Sequence, residues 1–384
     1  MTPGKSDDLA SVPGDDAGVE GTALHVSGHS VDSGAPELAR MTMAGGKRPT
    51  INDIARLANV SKKTVSRVIN QSPFVREATR AKIDEVIRQF GYAPDPQARG
   101  LAFRRSFLIG LVYDNPNASF IVNCQEGALD ALRGSGFELV VHPCDRKSDD
   151  FVPGVRRFIE RQKLHGVILM APVSEDPALA SMLREISCQH VRIASVQFDE
   201  TSKAVVSNDR EATAEAADYL TSLGHTHIGV IAGPSQHRSA HERLSGFLGA
   251  LEARGVTVPP ERIVEGGYNF ESGESCARVL LALNPRPTAI FACNDEMAFG
   301  VYKTAHQLGI AVPGELSILG FDDGPMASRI WPPLTTIRLP IRDSGRIAAL
   351  KLLPPRTRTS QDPPALSRIS AHLVVRESCA APRS

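Results

Sequence analysis

The chain has 384 residues, 42% of them hydrophobic and 22% charged, and its 43 basic and 43 acidic side chains leave no formal net charge. That length holds two or three domains of ordinary globular composition. No apolar run approaches the ~20 residues that a membrane span needs, so no membrane partner is expected.

The zero balance hides an uneven distribution. Residues 1–46 carry two basic and seven acidic side chains, residues 47–105 carry thirteen and five, and the remainder carries 28 and 31. A basic block of that kind is the electrostatic footprint of a nucleic-acid-binding segment. The six cysteines (Cys124, Cys144, Cys188, Cys276, Cys293 and Cys379) are scattered, with no CxxC and no histidines at ligand spacing. They read as thiols of a reduced cytoplasmic protein, and no metal or cofactor is expected. The N-terminus lacks the basic-then-apolar profile of an export signal, which also points to the cytoplasm.

Residues 1–46, rich in Gly, Ser, Asp and Ala, lack the large apolar groups needed to form a core and are expected to be a disordered extension. Met41 or Met43 would begin the patterned region more economically.

Residues 47–92 form the first patterned domain. Within TINDIARLANVSKKTVSRVIN, Thr50 caps a first helix with Asp53 at the capping-box position, and Asn59 suits a left-handed exit. Ser61 caps a second helix, with Val60 and Val65 placed as a hydrophobic staple. Val65, Val68 and Ile69 fall on one face of that helix, and Lys62, Lys63, Ser66, Arg67 and Asn70 on the other. Two lysines in a first turn oppose the helix dipole, so this helix is better placed with an anion in front of it. Glu77–Phe90 reads as a third helix ended by Gly91, its Ile83, Val86, Ile87 and Phe90 closing a small core with Ile54, Leu57 and Val68. Residues 93–105 begin with Asp95-Pro96, a cap followed by a first-turn proline, and predict a short helix.

From residue 106 onward, short apolar runs alternate with amphipathic helical stretches. The candidate strands are 108–112, 138–142, 166–170, 228–231, 288–292 and 316–320, with helices over 122–133, 212–223, 240–254 and 296–308. Such alternation predicts parallel α/β sheets with helices on both faces, here in two similar lobes divided near Val206. Ligands in this architecture sit beyond the carboxyl ends of the strands. Asn115, Asn117, Phe120, Ser195, Asn294-Asp295 and Asp322-Asp323 follow such ends, and Arg243 lies near the start of a helix. Loop capping is the alternative role for Asn294 and Asp322, and a structural ion pair that for Arg243. Trp331 is placed by RIWPPLTT at either the pocket mouth or a packing boundary.

The block TINDIARLANVSKKTVSRVIN, the following FVREATRAKIDEVIRQFGYAPDPQARGL, and LVVRES near the end resemble the LacI/GalR family of bacterial transcription regulators, over Lys47–Ser378. The resemblance implies a helix-turn-helix domain, a hinge helix over 93–105, and a two-lobed periplasmic-binding-protein-like domain over 106–384 in which the chain crosses between lobes three times. It implies a homodimer on a pseudo-palindromic double-stranded DNA operator, read by Thr50, Ser61, Lys62, Lys63, Thr64, Ser66, Arg67 and Asn70, with Arg99 beside a minor-groove wedge at Leu101. Gly100, where a serine is common, weakens the hinge helix. The resemblance further implies a small-molecule effector, a sugar first of all, held by Phe120, Ser195, Arg243, Asn294 and Asp322, although the hydrogen-bonding chemistry of these groups suits purines or carboxylates too.

A cytoplasmic small-molecule-binding protein without a regulatory role is the alternative, since the α/β core alone would suffice for it; the basic helix-turn-helix separates the two. No GxSxG, GxxxxGK[ST] or HExxH motif suggests an enzyme. With no apolar heptads after LVVRES, a coiled-coil tetramer is not expected.

Overall fold

The computed structural model describes residues 49–69, 72, 74–92, 106–115, 117–198, 203–354 and 368–383. The N-terminal extension and the hinge, with Asn70, Arg99 and Leu101, lie outside the described residues. The rest falls into two compact units, divided between residues 94 and 95.

The first unit contains α1 (Ile51–Leu57), α2 (Lys62–Ile69) and α3 (Glu77–Phe90). The capping box at α1 is complete: Asp53 N donates to Thr50 Oγ1 at 3.4 Å, and Thr50 N donates to Asp53 Oδ2 at 2.9 Å. The Thr50 hydroxyl, which donates to the same carboxylate at 2.7 Å, holds Asp53 below the usual acid range. Asn59 takes φ 51° in the turn, and Gly91 ends α3 at φ 58°. Ile54, Ala55, Ala58, Val65, Val68 and Ile83 are buried together, with Val60, Val86, Ile87 and Phe90 packed around them. Leu57 does not join this core. It is half-buried, and the small side chains of Ala55 and Ala58 take the interior face instead, letting the helices approach closely.

The second unit has two lobes. The first sheet runs β11-β5-β4-β3-β1-β2 and the second β12-β10-β9-β8-β6-β7, and every pairing is parallel except β10 with β12. The first is formed by β1 (Leu108–Tyr113), β2 (Glu138–Pro143), β3 (Gly166–Leu169), β4 (Gln189–Ala194), β5 (Ala204–Ser207) and β11 (Arg368–Ile369). The second is formed by β6 (Ile228–Ala232), β7 (Ile263–Glu265), β8 (Ala289–Ala292), β9 (Ser317–Asp322), β10 (Thr335–Arg338) and β12 (His372–Val374). Helices α4 (Ala118–Leu132), α5 (Phe151–Gln162), α6 (Pro177–Glu185) and α11 (Ile341–Leu352) cover the first sheet. Helices α7 (Asp209–Ser222), α8 (Arg238–Ala253), α9 (Phe270–Leu281) and α10 (Asp295–Gln307) cover the second.

Period-two burial explains why the first sheet is covered on both sides. Ile109, Ile168 and Val191 face the core beneath α4 and α11, whereas Val167 and Leu169 face α5 and α6. The chain passes between lobes at 207–209, 338–341 and 369–372, the three crossings expected. The first and third are tied by Asn208, whose Nδ2 donates to Ala371 O at 3.2 Å while its Oδ1 accepts from Ala371 N at 2.6 Å. No described helix is long and apolar enough to cross a membrane.

Candidate functional site

The first candidate surface is the start of α2. Ser61 Oγ accepts from Thr64 N at 3.1 Å and shares a hydrogen bond with the Thr64 hydroxyl at 2.8 Å, so both side chains serve the cap. No acid stands in the first turn. Lys62, Lys63 and Arg67 are exposed and pair with no carboxylate among the described residues, while Ser66 is half-buried. The helix therefore presents cations in front of its positive dipole end, an arrangement that an external polyanion stabilises. Thr50 is engaged by Asp53, so its place here is that of a cap at the edge of the surface.

The second is the cleft between the lobes, about 760 Å³ counting its open mouth. Strand ends and helix starts from both lobes converge on it, as in other doubly wound sheets. Phe120, Ser195, Arg243, Asn294 and Asp322 all line this one space. Arg243, in the second turn of α8, is buried. Its Nε donates to Asp209 Oδ2 at 2.8 Å, its Nη1 donates to Cys293 O at 2.7 Å, and its guanidinium lies 3.6 Å over the Phe321 ring. Burial works against its charge, but the carboxylates, Asp209 foremost, raise its pKa further. The structural ion pair is thus real, and Arg243 holds the cleft wall as well as facing it.

Asp322 ends β9 at φ 121°, followed by Asp323 at φ 56°. Its Oδ1 is 3.8 Å from Arg243 Nη1, and its Oδ2 accepts from Asn117 Nδ2 of the opposite lobe at 3.5 Å. Burial pushes its carboxyl up to about 7 although Arg243 opposes the shift. Asn294 caps α10: its Oδ1 accepts from Met297 N at 3.0 Å and its Nδ2 donates to Tyr268 O at 3.0 Å. The capping alternative therefore holds for Asn294, which shapes the wall mainly by fixing Tyr268. The Ser195 hydroxyl is buried with no hydrogen-bond partner among the described residues, and Phe120 packs against the cores of both lobes.

Sequence reasoning missed several lining groups. Asp114, Asp209, His237, Ser239 and Tyr268 all face the cleft. Tyr268 takes φ 61° and its hydroxyl is buried beside Ser239 without a well-formed hydrogen bond. It lies so close over Gly233 that a Cβ there would meet its hydroxyl at 2.2 Å. Trp331 is 80% exposed and does not line the cleft, so of its two expected places the mouth is excluded. Among the described residues no acid, thiol and imidazole group is placed to hold a metal, and all six cysteines are unbridged.

Comparison with known proteins decides the family. The profile of bacterial regulatory proteins of the lacI family matches residues 50–95, and that of a periplasmic binding protein-like domain matches residues 217–379. The chain is 35% identical over 309 residues to the Bacillus subtilis (strain 168) protein described as probable HTH-type transcriptional repressor ExuR, covering 79% of this chain and 90% of that one. The chain belongs to the LacI family.

The Escherichia coli (strain K12) ribose operon repressor is 33% identical, with 78% of this chain and 90% of that one covered. Among solved structures, the lac repressor dimer bound to operator and the anti-inducer ONPF aligns with TM-score 0.70 at 27% identity, over 87% of this chain and 100% of that one. A complex of the transcriptional regulator CelR with cellobiose aligns with TM-score 0.63 at 29% identity, over 86% and 100%. This LacI-family chain is accordingly a DNA-binding transcription regulator with a helix-turn-helix unit and a two-lobed periplasmic-binding-protein-like unit.

Proposed function

We propose that this regulator represses transcription as a cytoplasmic homodimer on a pseudo-palindromic operator, and that a sugar bound between its lobes sets its operator affinity. The observation that carries the reading is convergence: side chains far apart in sequence, from Asn117 and Ser195 in one lobe to Arg243 and Asp322 in the other, line a single cleft. Hydroxyl groups both donate and accept, which matches a wall of carboxylates, amides, a guanidinium and hydroxyls. The relatives named for ribose and the neighbour holding cellobiose support the sugar class. No enzymatic step is proposed.

The domains we assign are residues 47–92 for DNA reading, 93–105 for the hinge and 106–384 for effector binding and dimerisation. Lys62, Lys63, Ser66, Arg67 and Asn70 reach base edges in the major groove, while Thr50, Ser61 and Thr64 fix the helix that carries them. Leu101 wedges into the minor groove with Arg99 beside it, kinking the duplex. A ligand that touches both lobes favours their closed arrangement, and the hinge transmits the change.

The test begins with a thermal-shift screen of sugars and nucleobases, since a specific ligand raises stability by mass action. Asp322→Ala should then bind operator as wild type does but respond to the ligand only at about a hundredfold higher concentration, the effect of losing a buried charged partner. An unchanged response would make Asp322 a turn cap only.

A further inference from the structure

The cleft is rich in carboxylates and poor in available positive charge. Among the described lining residues, Asp114, Asp209 and Asp322 face one guanidinium, that of Arg243; a second, that of Arg146, lies near His237 but off the lining, with its Nε buried and without a partner among the described residues. Asp209 already neutralises that guanidinium at 2.8 Å, the Cys293 carbonyl takes a second donor at 2.7 Å, and Asp322 stands 3.8 Å away. His237, the other basic group on the wall, is held neutral at ordinary pH, because burial and the neighbouring Arg146 bring it down to about 4. Its ring stacks on Tyr268 at 5.8 Å, so each of these aromatic faces already has a partner. Among the described residues, the buried hydroxyls on this wall without a well-formed hydrogen bond are those of Ser195 and Tyr268.

We infer, on the basis of the sugar reading above, that the cleft selects an uncharged polyhydroxylated ligand and rejects the carboxylated and phosphorylated forms of the same sugar. A ring hydroxyl donates to Asp114 or Asp322 and accepts from Ser195 or Tyr268, so it suits both kinds of group that the wall offers. A carboxylate or phosphate only accepts. It would have to approach Asp322, whose nearby cation is already held by Asp209, and Asp114, which accepts from Arg146 N at 3.1 Å but joins no salt bridge among the described residues, and like charges brought together in a partly desolvated site repel strongly. The one strong cation is no remedy, because turning Arg243 toward an anion leaves Asp209, which is 1% exposed, buried and unpaired.

The experiment is a binding panel on the full-length protein at pH 8 and constant ionic strength. Neutral aldoses, disaccharides and polyols are each paired with their uronate or aldonate and their monophosphate, and adenine, guanine and hypoxanthine are included. Melting shifts identify hits and calorimetry gives each Kd. Hits should be confined to neutral polyols, with the anionic counterpart of a hit weaker by about a hundredfold or more. Asp322→Asn should narrow that neutral-to-anionic ratio by about tenfold, since it removes charge but keeps shape. Asp114→Asn, in the other lobe, should narrow it too and serves if the first variant fails to fold. An anionic sugar that binds as well as its neutral parent, or a ratio that neither variant moves, overturns the charge selection and leaves the sugar reading standing. Hits confined to nucleobases, or no hit at all, overturn the sugar reading and this inference with it.

Discussion

Asp322, proposed above to bind the effector, sets stability against readiness. It is a non-glycine residue at φ 121°, a region that costs on the order of 1–3 kcal/mol to occupy. Its carboxyl is half-buried beside Arg243 but too far away, at 3.8 Å, for a full hydrogen bond. Asp295 beneath it is satisfied differently, by the Thr336 hydroxyl at 2.6 Å and Gly324 N at 2.9 Å, and burial keeps its carboxyl well above the usual acid range. Asp322 is raised to about 7 against an ordinary 3.8, so between these values the folded chain holds a proton that the unfolded chain has released. Its contribution to stability is therefore present below about pH 4 and lost as pH rises through about 7. Asp322→Asn cannot ionise, so its melting temperature relative to wild type should be higher at pH 8 than at pH 5. An equal difference at both pH values would mean that Arg243 keeps the carboxylate ionised throughout.

Helix α2 carries the DNA-reading prediction. Arg67 is exposed on the face opposite Val65 and Val68, which are buried in the three-helix core, so its removal leaves the fold intact. Arg67→Ala should relax base preference at one operator position by ~1–3 kcal/mol and change the salt slope by at most about one phosphate equivalent. Unaltered preference at every position, measured on a library of operator variants, would remove Arg67 from the reading set. This helix was legible in the sequence because its signals are local: the Thr50–Asp53 box, the left-handed Asn59 and the Ser61 cap are each set by neighbours within four residues. The strands beginning near 108, 138, 166, 228, 288 and 316 were legible as short apolar runs. The four-residue β5 and β10 and the two-residue β11 were not, because their pairing partners lie far away in sequence. Asn117, Ser195, Asn294 and Asp322 were found as polar groups after strands. Tyr268 and Asp209 follow no clear run: β7 before Tyr268 is two half-buried residues and one exposed, and Asp209 reads as an ordinary acid in a first helical turn. Two glycines before Tyr268, in EGGYNF, were the available hint of a close backbone approach.

Across the whole effector unit, hydrogen bonds among the described residues join the two lobes beside the cleft, and two of them bear on its closure. One joins Asn117 to Asp322 at 3.5 Å. In the other, Glu175 of the first lobe accepts from Arg238 N of the second at 2.9 Å, at the start of α8, whose own N-cap His237 makes no side-chain cap. The second lobe's helix is therefore capped by an acid of the first, a contact that lasts only while the lobes stay together. Burial raises the Glu175 carboxyl, and its second oxygen is buried without a partner, so the closure is costly and easily tipped. Removing an N-cap acceptor typically costs ~0.5–2 kcal/mol, roughly two- to thirtyfold in the closed-to-open ratio. Glu175→Ala should thus weaken effector binding without touching the groups that grip the ligand, and Glu175→Gln, which keeps an acceptor, should fall between. The sign on DNA follows by linkage whether the ligand releases the operator or recruits it. On the proposed mechanism the effector favours closure and the Ala variant opposes it, so the variant without ligand should shift operator affinity in the direction opposite to the effector. Operator titrations of wild type, wild type with saturating ligand, and ligand-free Glu175→Ala decide the point. A variant that moves operator affinity the same way as the ligand, or not at all, would show that lobe closure is not what couples the cleft to DNA.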